Sequence, residues 1–360
     1  MAATARKRGL TVVISLLAAA DIVLVTALAL GGAAPPSALR TTPHPDQVSS
    51  RLSAILQQDG LSTALDSLEW LAARDSLVLR DAHQLAHALG REALIRSGSD
   101  PAILAQCRPA FGSGCYHGVI EALLNLKGHV DMAELQRMCL AAGGPNKPGP
   151  IYECAHGLGH GVLGAVGLQI DTALGDCDAL TEPWLAESCH QGVFMEAITV
   201  ALDRRQKHGS HQHGPEQHGS ASALTIDPAD PYSPCDRYTD PYADSCWIFQ
   251  SFVILKKVGF DAARALRICE AAPEARADRC YQSVGHQLAG LFQRSDAWIA
   301  GQCGTGRSEQ ITANCTSGAA LALAAMDWSG GRAKRFCGAL PASSREQCFA
   351  TAAEALALVS

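Results

Sequence analysis

Two histidines, His156 and His160, stand four residues apart directly after Cys154 and are the residues of this sequence best suited to chemistry. On an α-helix this spacing places both side chains on one face, one turn apart. Two imidazoles in that arrangement can bind one transition-metal ion. The spacing therefore predicts a metal site, and it raises the question of whether other helices contribute to it.

Similar pairs recur elsewhere in the chain, two and six residues after a cysteine. One unit lacks the cysteine, and Asp81 is predicted to occupy its position there. After Cys189 the pattern is shifted by one residue. The predicted ligands are His83, His87, His117, Glu121, His156, His160 and His286, with His190, Glu196 and Gln282 as weaker members. Glu121 is also a candidate catalytic acid or base.

The ligand types indicate a divalent metal cofactor, namely iron, zinc or copper. Neutral imidazole suits all three metals, and Glu121 would add a hard oxygen ligand. An alternative interpretation stays open, in which the histidines are packing residues that were copied with the repeat and hydrogen-bond to neighbouring helices.

Four glycines follow the second cysteine of a unit by three residues: Gly118, Gly157, Gly192 and Gly318. Glycine inside a helix costs up to about 1 kcal/mol relative to alanine. Its recurrence at one position predicts that another backbone or a ligand approaches closely there.

The 14 cysteines fall into seven successive pairs, without any CxxC motif. This pattern favours sequential disulfides over zinc or thioredoxin-like sites. The predicted pairs are Cys107/Cys115, Cys139/Cys154, Cys177/Cys189, Cys235/Cys246, Cys269/Cys280, Cys303/Cys315 and Cys337/Cys348.

The second cysteine of each pair recurs about every 34 residues, apart from one insertion. A period of that size is typical of αα-hairpin arrays. We therefore predict an all-α fold of about eight hairpins, forming either a solenoid or a closed toroid. Each disulfide would join the end of one helix to the start of the next. The second helix of a unit is thus predicted to start at its second cysteine, as at Cys280, where Asp278 is suited to capping.

Residues before the first cysteine pair are predicted to form helices over 47–58, 62–73 and 77–95, the last belonging to a cysteine-free first unit. Residues 204–226 form a polar insertion that contains His208, His211, His213 and His218. Residues 227–244, which are rich in Pro and Tyr, are predicted to replace a first helix with turns.

The N-terminal region differs in composition from the rest of the chain. Residues 1–9 are basic and predicted to be cytoplasmic, and residues 10–30 are apolar apart from Asp21. Such a segment is long enough for a transmembrane signal anchor, although a cleaved signal peptide is the alternative. Residues 31–45 would be a linker and residues 46–360 an extracytoplasmic domain, attached to the cell membrane or secreted.

The net charge of −6 and the lack of a dense basic block after residue 8 argue against a nucleic-acid partner. The sequence contains no GxSxG, P-loop or HExxH motif. Three functions stay open: a metal-dependent oxidoreductase or hydrolase, a non-catalytic metal-binding or trafficking protein that uses the His-rich insertion, and an interaction scaffold that binds a protein partner on its concave face.

Overall fold

The computed structural model describes residues 45–127, 131–143, 148–209, 224–292 and 294–359. This part of the chain is all-helical, without strands. Its 14 α-helices are α1 Pro45–Ala72, α2 Ser76–Arg96, α3 Gly114–Lys127, α4 Met132–Gly143, α5 Pro148–Ala165, α6 Ile170–Cys177, α7 Pro183–Gly209, α8 Ala243–Lys257, α9 Ala262–Cys269, α10 Glu274–Phe292, α11 Asp296–Cys303, α12 Glu309–Met326, α13 Gly331–Gly338 and α14 Ala342–Val359.

Short and long helices alternate along most of the chain, as the repeat predicts. Four of the short helices, α6, α9, α11 and α13, have eight residues each. Polar side chains define several starts, since Asp261 and Ser295 accept hydrogen bonds from the backbone N–H groups of the first turn of α9 and α11. In the second and fifth units a 3₁₀ helix, Pro101–Gln106 or Cys235–Arg237, stands where the short helix would be.

The long helices begin earlier than the sequence suggested. Helix α10 begins at Glu274, six residues before Cys280, because Pro273 ends a short turn and its fixed φ suits the entry to a helix. Asp278 therefore lies inside α10 and accepts a hydrogen bond from Asn314 Nδ2 at 2.6 Å. The prediction that Asp278 caps a helix starting at Cys280 is wrong, and the disulfide joins the short helix to the second turn of the long one.

The same correction applies to Cys246, Cys315 and Cys348, none of which begins a helix. Cys246 lies three residues after the start of α8, and Cys315 and Cys348 each lie six residues after the starts of α12 and α14. The true start of α12 is set by Ser308, whose hydroxyl accepts a hydrogen bond from the backbone N–H of Ile311. Proline again precedes the start of α14, at Pro341. The sequence-based starts at these three cysteines are therefore wrong, because capping residues and prolines begin the helices and the cysteines only mark where two helices touch.

All seven predicted disulfides are formed, and no cysteine is free. Their Cα–Cα distances of 5.3 to 5.7 Å lie within the usual range for the bond. Since each closes a short loop between neighbouring helices, the disulfides stabilise the individual hairpins. The confirmed pairs are Cys107–Cys115, Cys139–Cys154, Cys177–Cys189, Cys235–Cys246, Cys269–Cys280, Cys303–Cys315 and Cys337–Cys348.

The eight long helices pack against one another in chain order: α2, α3, α5, α7, α8, α10, α12 and α14. Apolar side chains between them form one large core and a smaller C-terminal one. Helix α14 also contacts α5, the third long helix. At the start of α5, a Cβ added to Gly149 would lie 2.1 Å from the ring of Trp328.

Three of the four predicted glycine contacts are close approaches of two backbones. A Cβ at Gly118 would lie 1.9 Å from the carbonyl oxygen of His87, and one at Gly192 would lie 2.0 Å from that of His156. Gly318 approaches the Gln282 carbonyl in the same way. Gly157 differs, because its nearest neighbour is a side-chain atom of Ile120 at 3.2 Å.

In each of these three contacts the earlier helix also has a glycine, which packs against a backbone carbonyl of the later helix. Gly159 and Gly285 each lie five residues after a half-cystine, and each faces the carbonyl of a half-cystine on the next long helix. Gly90 makes the same contact with Cys115. Counting back five residues from Gly90 gives Leu85, so Leu85 and not Asp81 occupies the cysteine position of the first unit. His87 then corresponds to His156, and His83 lies one turn earlier than any repeat position.

The regions that depart from the repeat are partly as predicted. Helix α1 contains the two predicted segments, separated by a kink at Gly60 (φ 87°, ψ 172°). Residues 227–242 form turns and a 3₁₀ helix, as predicted, and the last two residues of the predicted segment already belong to α8. The insertion is shorter than predicted at both ends, because α7 runs on to Gly209 and the side chains of Leu224 and Ile226 are buried.

Two predicted segments lie outside the described residues. They are the first 44 residues, which include the predicted anchor at 10–30, and residues 210–223 of the insertion. Among the helices that the structure describes, none has the length and hydrophobicity of a membrane span.

Candidate metal site

Five histidines from three consecutive long helices form a cluster with His117 of α3 at its centre. Helix α2 contributes His83 and His87, and helix α5 contributes His156 and His160. The ring centroid of His117 lies 5.4 Å from those of His83 and His87, 5.1 Å from that of His156 and 4.1 Å from that of His160. The glycine contacts between α2 and α3 bring the first three imidazoles together.

His117 is fully buried, and neither of its ring nitrogens has a hydrogen-bond partner among the described residues. Leaving buried polar atoms unsatisfied costs about 1–3 kcal/mol. Ligand nitrogens of His117, His83 and His87 lie within 4.8 Å of one another, and so do those of His117, His156 and His160. These groups could each hold a metal ion, and His117 belongs to both.

Two carboxylates orient histidines of the cluster. His87 Nδ1 lies 3.2 Å from Glu121 Oε2, and His160 Nδ1 lies 3.0 Å from Glu196 Oε2. A metal-binding histidine usually donates its other ring N–H to such a carboxylate. Both histidines keep Nε2 for a metal, and Nε2 of His160 is buried without a partner.

Glu121 and Glu196 thus each contact a histidine of the cluster, and neither belongs to the two groups of described residues that could hold a metal ion. Glu121 also accepts a hydrogen bond from Arg91 Nη2 at 2.8 Å. This carboxylate is thus already bound on two sides. The sequence predicted the nearness of both glutamates to the histidines, whereas the direction of their oxygens is visible only in the structure.

A backbone carbonyl has the same role for His83. Its Nδ1 donates to the carbonyl of Phe111 at 2.7 Å. Phe111, Gly112 and Ser113 all have left-handed φ angles, of 56°, 60° and 60°. Residues other than glycine rarely adopt this conformation, which costs of order 1–3 kcal/mol and is often found at functional sites. The strained turn holds the Phe111 carbonyl against His83.

Burial keeps the imidazoles of His83, His117 and His156 neutral, whereas hydrogen bonds keep the two carboxylates ionised. It lowers the pKa of His83 to about 4 and holds the pKa values of His117 and His156 well below 6.5, with the neighbouring imidazoles adding to the effect. The hydrogen bond from His87 lowers the pKa of Glu121. Burial opposes ionisation of Glu196, but the hydrogen bond from His160 outweighs it and the pKa of Glu196 is lowered. Neutral imidazoles with ionised carboxylates behind them are the state that a metal cation requires.

We expect the metal-free protein to lose stability on acidification from pH 6.5 toward 4. The imidazole of His83 would titrate near 6.5 in an unfolded chain, but its pKa is about 4 in the folded protein. Between these values the unfolded state binds protons that the folded state excludes, so unfolding becomes easier as the pH falls. Urea unfolding of metal-free protein across this range measures the effect. The His117→Leu/His156→Leu variant should show a shallower slope, and equal slopes would contradict the assignment.

His286 lines the same cavity but is not part of the cluster. The ring of Phe249 separates it from His156, with centroid distances of 5.9 Å and 6.1 Å. Burial lowers the pKa of His286 to about 4. Gln282, one turn earlier, accepts a hydrogen bond from Arg279.

The structure does not bring His190 to the cluster. Its Nε2 lies 2.9 Å from Asp178 Oδ1, and its ring packs edge-on against Tyr242. Both of these neighbours lie outside the histidine cluster. The one-residue shift after Cys189 therefore turned His190 toward a different face, while Glu196 still reaches His160.

Four histidines of the cluster, all except the fully buried His117, line a cavity of about 780 Å³, a size typical of small-molecule sites. All eight long helices contribute residues to its wall. Apart from the cluster, much of the wall is apolar, with side chains including Phe252, Leu321, Met326 and Trp328.

The half-cystines lie behind this wall, where they hold the helices that form it. None of them lines the described part of the cavity. Cys246, Cys315 and Cys348 are fully buried on the long helices α8, α12 and α14. The backbone carbonyl of Cys315 is the atom against which Gly285 packs. Their role at the site is therefore to position helices, and it does not extend to binding a ligand.

Two charged residues of this cavity were not found from the sequence. Glu153 is only 6% exposed, and burial raises its pKa to about 7. Arg279 lines the same cavity, and no described carboxylate forms an ion pair with it. Neither occupies the repeated position, so the repeat could not identify them; the three-residue spacing between Glu153 and His156 was the available signal.

Comparisons of the chain with protein-family models, with curated proteins and with solved structures give no match. The chemistry of the site is therefore the basis for inferring a function.

Proposed function

We propose that this protein is an exported metal-dependent hydrolase whose five-histidine cluster binds two divalent metal ions. The observation that carries the proposal is His117, which is fully buried with both ring nitrogens unsatisfied between two groups of histidines. A packing residue would be expected to use at least one nitrogen in a hydrogen bond. Two metal ions, one on each nitrogen, would satisfy both if the ring released its N–H proton to solvent and bridged the ions as an imidazolate.

The ligand set favours zinc, iron or copper. It consists of imidazoles, which suit these metals, and it contains no thiolate because every cysteine is in a disulfide. Outer partners on His83, His87 and His160 support this role. Calcium and magnesium are disfavoured, because they prefer oxygen ligands.

Hydrolysis is favoured by a buried carboxyl group in the same cavity. A bound metal ion lowers the pKa of a coordinated water and makes it a nucleophile at neutral pH. Glu153, with its pKa raised to about 7 by burial, is suited to accept or donate a proton near neutral pH. An oxidoreductase is the alternative, and the identity of the metal discriminates, since zinc has no redox chemistry.

We propose that the helical repeats form an array that curves around the cavity and closes on itself. The contact of α14 with α5 and the close packing of Gly149 on Trp328 support this arrangement. So does the cavity wall, to which all eight long helices contribute. The active site would then be the interior of a ring of hairpins.

An extracytoplasmic location is part of the proposal. Seven disulfides with no free thiol are typical of oxidising compartments. The apolar segment at 10–30 would hold the protein at the cell membrane, with residues 46–360 outside the cytoplasm.

Elemental analysis of the full-length chain, purified without a polyhistidine tag, tests the proposal. We expect about two metal ions per chain, falling to one or none in the His156→Ala/His160→Ala variant. The His190→Asn variant is the matched control and should retain both ions. A folded wild-type protein that contains no metal would reject the proposal and favour the interaction scaffold.

Deletion of residues 208–218 separates the enzyme from the trafficking alternative. In a trafficking protein, the His-rich insertion would bind most of the metal ions and would bind them loosely. We expect the two tightly bound ions to survive the deletion, because none of the five clustered histidines is removed. Loss of both ions on deletion would favour trafficking.

Replacing Glu121 or Glu196 with glutamine should weaken metal binding by about 10- to 100-fold, the usual effect of removing an outer-shell partner. Each glutamine keeps the size of the side chain but cannot stabilise positive charge on the imidazole. Competition with a chelator measures the affinity. Glu354→Gln, at another position of the cavity wall, is the control; an equal affinity in all four proteins would contradict the role of the two carboxylates.

A further inference from the structure

We propose that the cavity binds an amphipathic carboxylate, with the carboxylate group on Arg279 and the apolar part along the aromatic and aliphatic wall. Binding itself depends only on Arg279 and the wall. The statement that this ligand belongs to the class of the enzyme's substrates rests on the proposed function.

Arg279 forms no ion pair with a carboxylate of the described residues, although Asp244 and Glu187 act on it electrostatically. Its Nη1 donates to Gln282 Oε1 at 3.3 Å and its Nη2 donates to the Asp244 carbonyl oxygen at 3.4 Å, both long contacts to neutral groups. Its Nε is buried and has no partner among the described residues. Arg276, one turn earlier on α10, differs, because it pairs with the carboxylates of Asp240 and Asp244 at 3.1 Å and 2.9 Å.

At this position, leaving the charge of Arg279 without an anion costs free energy. The side chain lines the cavity, and burial lowers the pKa of its guanidinium. Arginine nevertheless stays charged in proteins, so the charge requires a partner. A carboxylate can accept two parallel hydrogen bonds from the fork of N–H groups, which is the arrangement that arginine recognises best.

The surrounding charges favour one negative charge on the ligand. Arg91 and Arg279 are the basic residues of the described cavity wall, and Arg91 is already paired with Glu121. Glu187 lies in the same wall and in the electrostatic field of Arg279. A doubly charged phosphate would therefore meet repulsion that a carboxylate largely avoids.

The rest of the ligand would meet apolar side chains. Phe249, Phe252, Leu321, Met326 and Trp328 all line the cavity. Aromatic rings and a flexible methionine are well suited to bind an apolar chain of variable shape. An ionic group with an attached apolar chain matches both parts of the wall.

Helix α5 connects Arg279 with the proposed metal site. Tyr152, His156 and Arg279 all line the cavity, and His156 follows Tyr152 by one turn of α5. An anion on Arg279 would thus occupy the same cavity as the histidine cluster.

Isothermal titration of the full-length chain with dodecanoate, dodecan-1-ol and dodecyl phosphate tests this inference. We expect dodecanoate to bind at least tenfold more tightly than either of the other two. In the Arg279→Gln variant its affinity should fall by about tenfold to hundredfold, as for other hydrogen bonds to charged groups, while binding of dodecan-1-ol stays unchanged. Arg276→Gln, which removes the same charge on the same helix, should bind dodecanoate like the wild type.

Equal binding of dodecanoate and dodecan-1-ol, or an unchanged affinity in Arg279→Gln, would overturn the proposal. Tighter binding of dodecyl phosphate would overturn the choice of a carboxylate. If Arg279→Gln does not fold, Arg279→Lys keeps the charge but loses the fork of donors, and it should bind dodecanoate several-fold more weakly than the wild type. Metal content is measured on the same samples: two bound ions without dodecanoate binding reject only this inference, and dodecanoate binding without metal rejects only the proposed function.

Discussion

Replacing His117 with leucine is expected to remove the two metal ions and, at the same time, to stabilise the metal-free chain. Both metal groups share His117, so each loses a ligand when the imidazole is removed. In the metal-free protein the same ring has two buried nitrogens without partners. Leucine is close in size and has no polar atom, so the variant should gain about 1–3 kcal/mol of unfolding free energy.

Urea unfolding of both metal-free proteins, with metal analysis before chelation, measures the two effects. The control is His190→Leu, because His190 is also buried but uses its ring nitrogen in a contact with Asp178. That substitution should lower stability and leave the metal in place. A metal-free His117→Leu protein that is less stable than the wild type would mean that His117 is a structural residue.

Alanine at Gly118 or Gly192 should be among the most destabilising single substitutions in the chain. The added Cβ would lie 1.9 Å or 2.0 Å from a backbone carbonyl oxygen, which cannot move without displacing a whole helix. Overpacking of a tight interface typically costs about 1–3 kcal/mol, and a clash with backbone belongs at the upper end. Since Gly118 adjoins His117 and contacts the backbone of His87, its substitution should also separate these two ligands and weaken metal binding.

Gly164→Ala is the matched control, on the same long helix as His156. No atom lies within 4 Å of a Cβ at this position. Alanine should therefore stabilise the protein by up to about 1 kcal/mol through helix propensity. Thermal unfolding of the three variants checks the order, and equal stability of Gly118→Ala and Gly164→Ala would contradict the close packing of α2 on α3.

The cysteines and the repeat carried most of the fold prediction. The regular spacing of the cysteines predicted the disulfides and the hairpin units. A disulfide that closes a short loop requires the two helices beside the loop to be adjacent. The starts of the long helices were predicted incorrectly, since a cysteine marks where two helices touch and not where one begins. At Cys280 the helix already begins at Glu274, where Pro273 allows it to start, and the helices of Cys246, Cys315 and Cys348 likewise begin before those residues.

The site was predictable to the extent that it follows the repeat. His117 and His156 share one repeat position, two residues after a half-cystine, and His160 lies one turn beyond His156. Because their helices are neighbours, the sequence brought these three histidines together. His83 and His87 were predicted because their four-residue spacing matches that of the other pairs. The structure shows that this pair is shifted by one turn, so that His87, and not His83, corresponds to His156. Glu153 and Arg279 line the cavity together with residues that are distant in the chain, and such contacts leave no local pattern in the sequence.

X-ray diffraction from crystals of the untagged protein, collected at the absorption edge of the metal that elemental analysis identifies, tests the central claim most directly. We expect two anomalous peaks, one within bonding distance of His83, His87 and His117 and one within bonding distance of His117, His156 and His160, with His117 between them. A cluster of five histidines without any anomalous peak, in crystals of protein that contains the metal, would contradict the account.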